Sequence, residues 1–409
     1  MTKMHRNGRM AAWLAPVAGV VLACVAQGAV AGATIKIDDT KWLSLGAGAR
    51  ADFRTAEDQA PNGDWSDDFN LNSARLYLNG QIHKYIKFEL NTECVFCGNS
   101  GSGAAHEEWV VLDAIAKFEF SPAFNVWAGR LLVPAERQEL NGPYYSTTWD
   151  AYKTPFTPSD FSVDFGTGGA GVYARDHGVN VWGAIAPEGR LQYVFGVFNG
   201  LESAAGFGPN QDDNLMWAGR IAYNFLGVEK NPGYYTSGTY YGTAGDIFTI
   251  GLVGQYQEDG SGSFLNPGDY FGFSADLLYE GVLESKHVVT LNGEYKNFNA
   301  DYAKAAFADP DCFCTFDGDS YSVAALLLFP QTVGIGKLQP YVRWTEVMPN
   351  GSADRDEVEV GVNYIIDGHN ARVSAFWQHG DIATKGLNYS PTAAGRSIDA
   401  FRIAFQLQL

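Results

Sequence analysis

The chain has 409 residues and carries 46 acidic against 28 basic side chains, which gives a formal net charge of −18 at pH 7. So acidic a balance argues against a nucleic-acid partner, because phosphate backbones are bound by lysine and arginine. Aromatic residues make up 14% of the chain and 47 residues are glycine, a composition typical of many short strands joined by tight turns.

The N-terminus has the features of a secretory signal. Three basic residues precede an uncharged apolar run over residues 10–25, and Ala29-Val30-Ala31 offers a small-residue cleavage site. The run is shorter than the about 20 residues that a membrane-spanning helix needs. We therefore predict a cleaved signal peptide over residues 1–31 and a single domain over residues 32–409. An uncleaved anchor helix and lipoprotein cleavage at Cys24 are the alternatives.

Beyond this leader, apolar and polar residues alternate along many segments. Near the C-terminus, Phe401, Ile403 and Phe405 alternate with Arg402 and Gln406. A period of two is typical of a β-strand with one apolar face. The remaining apolar runs are too short to cross a membrane as helices, so a closed β-barrel is the membrane-spanning architecture that this pattern allows.

The alternation predicts about sixteen strands, an even number as in bacterial outer-membrane barrels. They cover residues 42–54, 70–82, 85–94, 107–120, 124–134, 171–186, 190–199, 215–225, 246–257, 270–279, 286–297, 319–329, 337–347, 356–366, 370–379 and 398–409. Their connections alternate between short turns, assigned to the periplasmic side, and long outer loops. Residues 227–245 break this rule, because they form a long connection on the short-turn side.

The predicted fold class is therefore all-β, a transmembrane antiparallel β-barrel with its third long loop folded into the lumen. A secreted protein of two packed β-sheets is the alternative, since its strands would also alternate. The inward face of the predicted strands carries arginine, lysine and glutamate, which a dry core would not accept. This favours a barrel whose polar face sees water and whose apolar face meets lipid.

The third long loop, residues 137–168, has no helix or strand period. A segment of this length without regular structure in a folded chain is usually either functional or evidence against the assignment of the elements around it. We predict that it narrows the lumen. Its charged residues assigned to the constriction are Arg137, Asp150, Lys153, Asp160 and Asp164.

Several inward-facing positions of the first two and last four predicted strands are arginines, and these strands become neighbours when the barrel closes. We call this set the basic arc; it consists of Arg50, Arg75, Arg343, Arg372 and Arg402. Loop acids facing the arc across a narrow opening would create a transverse field. Further charged lumen residues are predicted at Arg130, Arg220, Lys87, Lys117, Glu89 and Asp113. Plain strand-to-strand salt bridges are the alternative interpretation of these charges.

Four motifs give the chain a family resemblance. They are the Asn125-Val126-Trp127-Ala128-Gly129-Arg130-Leu131-Leu132-Val133-Pro134 run, Arg175-Asp176-His177-Gly178, Phe198-Asn199-Gly200 and Ala218-Gly219-Arg220. With these motifs the chain resembles the phosphate-selective porins O and P. The resemblance implies sixteen strands, a homotrimer in outer-membrane lipid and lipopolysaccharide, and passive transport of small hydrophilic solutes.

The resemblance does not settle the solute. The loop offers few bases among its acids, which departs from the arginine and lysine constriction of phosphate-selective members. Porins for short-chain amides and urea have a similar architecture and suit mixed charge. The C-terminal residue is Leu409, where such barrels usually end in an aromatic residue.

The cysteines fall in two outer loops of a chain expected in an oxidising compartment. A Cys94–Cys97 disulfide is predicted, whereas Cys312 and Cys314 are too close for an easy bond. A metal site built from both cysteine pairs is the alternative, since thiolates are suitable ligands, but the two loops follow distant strands, so no metal is expected. No cofactor is expected either. The histidines lie near no nucleophile signature, so we expect that the chain is not an enzyme. A structural or adhesion barrel and a barrel-embedded hydrolase are alternatives of other classes.

Overall fold

The computed structural model describes residues 32–95, 108–156, 174–386 and 389–409. The predicted signal peptide, Cys97 and the loop acids Asp160 and Asp164 therefore lie outside the described residues. Among the described residues, no helix is both long and apolar enough to cross a membrane.

The described chain is almost entirely β-structure. Its strands are β1 Ala33–Lys36, β2 Trp42–Ala56, β3 Ser66–His83, β4 Ile86–Val95, β5 Glu108–Ser121, β6 Phe124–Leu132, β7 Arg175–Ile185, β8 Leu191–Phe198, β9 Met216–Asn224, β10 Ile247–Gly262, β11 Pro267–Val282, β12 Val288–Ala300, β13 Gly318–Leu328, β14 Thr332–Val333, β15 Gly336–Pro349, β16 Arg355–Asp367, β17 Ala371–Gly380 and β18 Ile398–Gln408. The helices are α1 Arg137–Asn141 and α2 Ile382–Lys385, and single 3-10 turns cover Pro187–Gly189 and Lys304–Ala308.

Sixteen of these strands form a closed antiparallel ring. Each pairs with its neighbours in the chain, and β18 closes the ring on β2, with Ala400 opposite Ala56 and Gln408 opposite Gly48. The short strand β1 pairs with the start of β2, and β14 is a two-residue strand in the turn before β15. The predicted closed antiparallel barrel of about sixteen strands is confirmed.

The two faces of the strands differ as the alternation predicts. On β18, Phe401, Ile403 and Phe405 are 50%, 60% and 46% exposed on the outside of the barrel, whereas the inward-facing Gln406 is fully buried. Apolar side chains outside and polar side chains inside are the arrangement that lipid imposes on a barrel.

The inward face of the strands is largely buried, whereas the alternation predicts a polar face that is exposed to water. Along β2, Ser44, Arg50 and Asp52 are each at most 5% exposed, and along β12 the inward Thr290 and Lys296 are at most 1% exposed. Two segments account for this cover. One is residues 134–156, which we call the inserted loop. The other is residues 225–246, between β9 and β10, which we call the floor segment.

Most other connections follow the predicted sides. Turns such as 122–123 and 368–370 are short, and loops such as 199–215 and 301–317 are long. The predicted long loop over residues 257–269 is wrong, because β10 and β11 continue through a register shift and leave only residues 263–266 between them.

Candidate functional site in the barrel lumen

The inserted loop enters the lumen directly from β6 and begins with a helical turn. The carboxylate of Glu136 caps α1 by accepting hydrogen bonds from the backbone N–H groups of Gln138 and Glu139. An N-cap of this kind satisfies donors that a helix start leaves unpaired. The expectation that no regular structure interrupts residues 137–168 is therefore wrong at Arg137–Asn141, where capping stabilises a turn too short to show a helical period.

One side of the loop start packs against an apolar part of the lumen wall. Leu131, Val133, Leu140 and Phe198 are each at most 2% exposed and belong to one core cluster. We call this contact the apolar seal; it also includes Ile115, Trp127, Leu132, Ala174, Val194, Met216, Ala218 and Tyr234. Burial of this apolar surface holds the loop start on strands β5 to β9 through the hydrophobic effect.

The opposite side of the loop lies on the basic arc. Arg50 donates to the carbonyl oxygen of Trp149 at 2.6 Å, and Arg372 donates to that of Ser146 at 2.7 Å. Arg343 donates to the Thr148 hydroxyl at 2.7 Å and also to the carbonyl of Asp150. These arginines lie on β2, β17 and β15, so strands far apart in the sequence hold consecutive residues of the loop.

The charged side chains of the loop also meet the wall directly. Asp150 accepts a hydrogen bond from Arg402 at 2.5 Å, and Lys153 lies 3.0 Å from Glu357 and 3.2 Å from Asp150. Burial opposes ionisation of Asp150, yet Arg402 and Lys153 outweigh it and hold the pKa of this carboxyl well below its usual range. Burial likewise opposes the charge of Lys153, but Glu357 raises its pKa.

Asp150 and Arg402 are thus in contact, whereas the sequence predicts loop acids that face the basic arc across an opening. Tertiary folding brings the loop further in than that interpretation assumes, because the arginines bind its backbone as well as its acids.

The fifth residue of the basic arc, Arg75, is engaged by an acid of its own wall. It pairs with Glu93 on the neighbouring strand, and its guanidinium lies 5.1 Å from the centre of the Tyr144 ring. The guanidinium of Arg50 lies 3.9 Å from the Trp149 ring. Aromatic loop residues therefore cover the arginines with their faces, which attracts the cations.

Arg137 belongs to a buried charge cluster that sequence reasoning missed. It donates to both carboxylate oxygens of Glu229 at 2.7 and 2.8 Å and lies 3.3 Å from Asp276. Arg220 pairs with the same Asp276. Burial disfavours the charge of Arg137, but Glu229 and Asp276 raise its pKa, and Arg137 in turn lowers the pKa of Glu229 against the effect of burial. No local pattern marks Glu229 or Asp276 as partners, because they lie far away in the sequence.

A second buried cluster joins the loop to β12. Lys296 lies 3.0 Å from Glu136 and 2.7 Å from Glu139, and it donates to the Pro155 carbonyl at 2.8 Å. Thr154 donates to Glu294 at 2.6 Å. Lys296 lies on the inward face of β12, and the folded loop supplies its partners.

The remaining lumen residues pair mostly between strands, in line with the alternative interpretation of their charges. Lys117 pairs with Glu89, Asp113 accepts from Arg175 at 3.0 Å, and Arg130 donates to the Val111 carbonyl at 3.0 Å. Lys87 pairs with Glu119 at 2.5 Å. The partner Arg175 is a further residue that sequence reasoning did not assign.

The described cysteines lie in different parts of the barrel. Cys312 and Cys314 are joined as a disulfide, with their Cα atoms 5.2 Å apart, within the range that disulfides span. Cys94 is disulfide-bonded, and its predicted partner Cys97 lies outside the described residues. Within the described ranges, no group of three or more metal-ligating side chains comes together.

Comparison with known proteins gives matches at the level of structure. No protein-family model matches the chain, and no curated protein matches it. Pseudomonas putida OprB in a high-pH structure is similar at 11% identity and a TM-score of 0.56, over 90% of this chain and 94% of that one. An anion-selective porin from Comamonas acidovorans is similar at 13% identity and a TM-score of 0.53, over 90% of this chain and 100% of that one.

A third similar structure is the outer-membrane protein OmpT of Vibrio cholerae, at 13% identity and a TM-score of 0.50, over 92% of this chain and 100% of that one. This finding corrects the expectation that the chain is not an enzyme. Likeness at such low identity concerns the fold alone, and one fold carries unrelated activities. The fold of the chain therefore does not exclude a catalytic activity.

The described chain forms a closed ring of sixteen antiparallel strands with an apolar outer face, and its structural likeness to the two porins extends along nearly their whole length. The chain has the fold of the outer-membrane porins.

Proposed function

We propose that the chain is an outer-membrane channel through which small hydrophilic solutes or ions diffuse passively. In this proposal a signal peptide over residues 1–31 directs it to the outer membrane, where it forms a homotrimer in contact with lipid and lipopolysaccharide. The porin fold and the exposed apolar band support the proposal, because an apolar outer face is what a barrel in lipid requires. Membership of the phosphate-selective porins O and P stays a prediction.

The inserted loop is the proposed constriction, and the basic arc is the part of the wall that positions it. The observation that carries this assignment is the set of hydrogen bonds from Arg50, Arg343 and Arg372 to the loop residues 146–150. Bonds to a backbone fix the course of a chain more closely than contacts with mobile side-chain ends. The arc then acts on solutes in two ways, by holding the loop and by its own charge.

The test is the simultaneous substitution of Arg343, Arg372 and Arg402 by glutamine. The variant loses three positive charges and the anchors of the loop, so the reversal potential in a salt gradient should shift towards cations and the single-channel conductance in planar bilayers should rise. Arg396→Gln is the matched control, because its side chain is 56% exposed in an outer loop. An unchanged reversal potential together with an unchanged conductance would count against the assignment.

Selectivity for short-chain amides or urea is a second candidate. A small polar space of about 10 Å³ at the contact of loop and wall is lined by the neutral hydrogen-bonding side chains of Gln138, Thr148 and Asn292, together with the charged Glu294 and Arg343. Amide and hydroxyl groups suit a small neutral solute, whereas the arginines nearby already donate to the loop or to carboxylates. Liposome swelling with urea, phosphate and sugars separates the possibilities: faster entry of urea than of a sugar of similar size supports amide selectivity, and preferred entry of phosphate contradicts it.

A further inference from the structure

The floor segment, residues 225–246, turns into the lumen instead of crossing beneath it. Ser237 and Thr239 are at most 4% exposed. The Gly238 N–H donates to the Tyr145 carbonyl of the inserted loop at 2.9 Å. A connection on the short-turn side thus meets the loop that descends from the opposite side, and together they fill the section of the barrel where they touch.

One carboxylate of the barrel wall binds the tip of the floor segment, residues 237–242. We call this binding site, formed by Glu280 and His369, the seat. Glu280 on β11 accepts hydrogen bonds from the Thr239 hydroxyl at 2.6 Å, the Tyr240 N–H at 3.0 Å and the Gly242 N–H at 2.7 Å. On the other side of the tip, the ring of His369 bonds to the Ser237 hydroxyl at 3.1 Å and the Thr239 carbonyl at 2.9 Å. The seat is therefore specific in hydrogen bonding, and it lies on β11 and the β16–β17 turn.

The base of the floor segment, residues 228–236, is bound to the inserted loop by ion pairs and hydrogen bonds. Glu229 makes the two-oxygen contact with Arg137 described above, and the Tyr240 hydroxyl donates to Glu229 at 2.8 Å. Thr236 donates to the Arg137 carbonyl at 2.8 Å. Arg137 also donates to the Ser237 carbonyl at 2.9 Å. Because one arginine of the loop binds both a side chain and the backbone of the floor segment, a displacement of either segment disturbs the other.

The floor segment borders a half-open recess of about 620 Å³ between residues 228–236 and the wall of β7 to β9, where Trp182, Val194 and Ala222 line it. The base of the segment is fixed beside this recess, because the rings of Tyr234 and Tyr235 lie 5.4 and 5.5 Å from the ring of Trp127. A movement of the tip of the segment towards the recess breaks hydrogen bonds at the seat, while these aromatic contacts hold the base.

The tip of the segment also meets the wall beneath the inserted loop. Asn292, which lines the small polar space under the loop, faces the Gly238 carbonyl at 3.5 Å. Gly242, next to the contacts with Glu280, has a φ value of 78°, which glycine adopts without strain. Withdrawal of the tip from Glu280 would separate it from Asn292 and from the loop–wall contact.

We propose that the floor segment is a plug, which closes the channel when it is seated on Glu280 and opens it when its tip shifts towards the recess beside β7 to β9. This inference rests on the proposed channel function and adds a second closure point to the one formed by the inserted loop. It assigns the control of conductance to residues on the short-turn side.

The direct test is a disulfide that holds the plug in its seat. The hydroxyl oxygens of Thr239 and Thr290 lie 3.5 Å apart, so the double variant Thr239→Cys/Thr290→Cys should form a cross-link between the segment and β12. With the cross-link verified by mass spectrometry, we expect the conductance of the oxidised protein to be at least fivefold lower than after reduction. Thr239→Cys alone is the control, and it also shows what the reductant does through the native disulfides. Equal conductance in both states overturns the plug.

A second variant replaces residues 230–243 with a short Gly-Ser turn. We expect an open channel with a conductance at least twofold above that of the wild type, in a barrel whose circular dichroism is unchanged. A conductance equal to that of the wild type overturns the plug while leaving the channel proposal intact. Absence of conductance from both the wild type and this variant overturns the channel proposal itself.

Discussion

The two sides of the inserted loop are held by different forces. Towards β15 to β18 and β2, arginines bind its carbonyl oxygens and Asp150, whereas towards β5 to β9 the apolar seal packs around Leu131, Leu140 and Phe198. Hydrogen bonds from arginine are directional and fix where each loop residue lies, but desolvation of the charges offsets much of their energy. Apolar burial is less directional and contributes more net stability. We infer that the basic arc sets the shape of the constriction and that the apolar seal keeps the loop inside.

The largest effect is expected where the charged contacts are most deeply buried. Arg137→Met removes the cationic partner of Glu229 and one of the two partners of Asp276, and it leaves the buried Glu229 carboxylate uncompensated. Breaking such a pair costs about 3–5 kcal/mol of unfolding free energy. Urea unfolding in lipid vesicles, followed by tryptophan fluorescence, measures the change.

Arg396→Met is the control for this prediction, because the outer-loop arginine is largely exposed and its loss should change stability by less than about 0.5 kcal/mol. A similar small change for Arg137→Met would show that the buried cluster adds nothing that the apolar seal does not already supply.

The next effect tests the apolar seal itself. Leu131 is fully buried, so Leu131→Ala should lower the unfolding free energy by about 3 kcal/mol through lost burial and the cavity left behind. Leu265→Ala makes the same change at a side chain that is 74% exposed and serves as the control. The reversal potential of Leu131→Ala should stay that of the wild type. A shift of this reversal potential towards cations would show that the apolar seal also affects ion selectivity, which contradicts the inference that only the basic arc sets the shape of the constriction.

Acid should weaken the seat of the floor segment. Burial lowers the pKa of His369 from 6.5 to about 4. The unfolded chain therefore binds a proton at pH values where the folded protein does not, and stability falls as the pH drops below 6.5 towards 4. At pH 5 the loss is roughly 2 kcal/mol.

His369→Gln keeps a hydrogen-bonding side chain and lacks the titrating ring, so its unfolding free energy should depend less on pH between 7 and 5 than that of the wild type. Parallel pH profiles for the two proteins would exclude His369 as the cause of acid sensitivity.

The smallest effect is expected at the rim of the charged side. The Lys153 side chain is 12% exposed and shares Asp150 and Glu357 with nearby arginines, so Lys153→Met should cost about 1 kcal/mol or less. Its loss leaves an excess of acid beside the loop, and the reversal potential should move slightly towards cations. A movement towards anions would contradict the placement of Lys153 beside the solute path. Lys36→Met, at a lysine 70% exposed on β1, is the control.

The alternation of apolar and polar residues along the chain was sufficient to predict the barrel. Alternation such as that of Phe401 to Gln406 identifies a strand and its outer face, and an even number of such strands with one polar face leaves closure as the only arrangement in lipid. Closure also makes the first and last strands neighbours, which places Arg50 and Arg402 on one arc.

The sequence by itself thus determined the strands, their two faces and the side of each turn, because these follow from a period of two and from the solvent on either side of the wall. Only the tertiary structure decided what fills the lumen. The partners of Arg137, the cover over the basic arc and the inward course of the floor segment depend on residues such as Glu229, Asp276 and Glu280 meeting across the barrel. Such long-range pairs leave no periodic pattern in the sequence. They depend on how the inserted loop and the floor segment, which lack regular structure along most of their length, pack together inside the closed barrel.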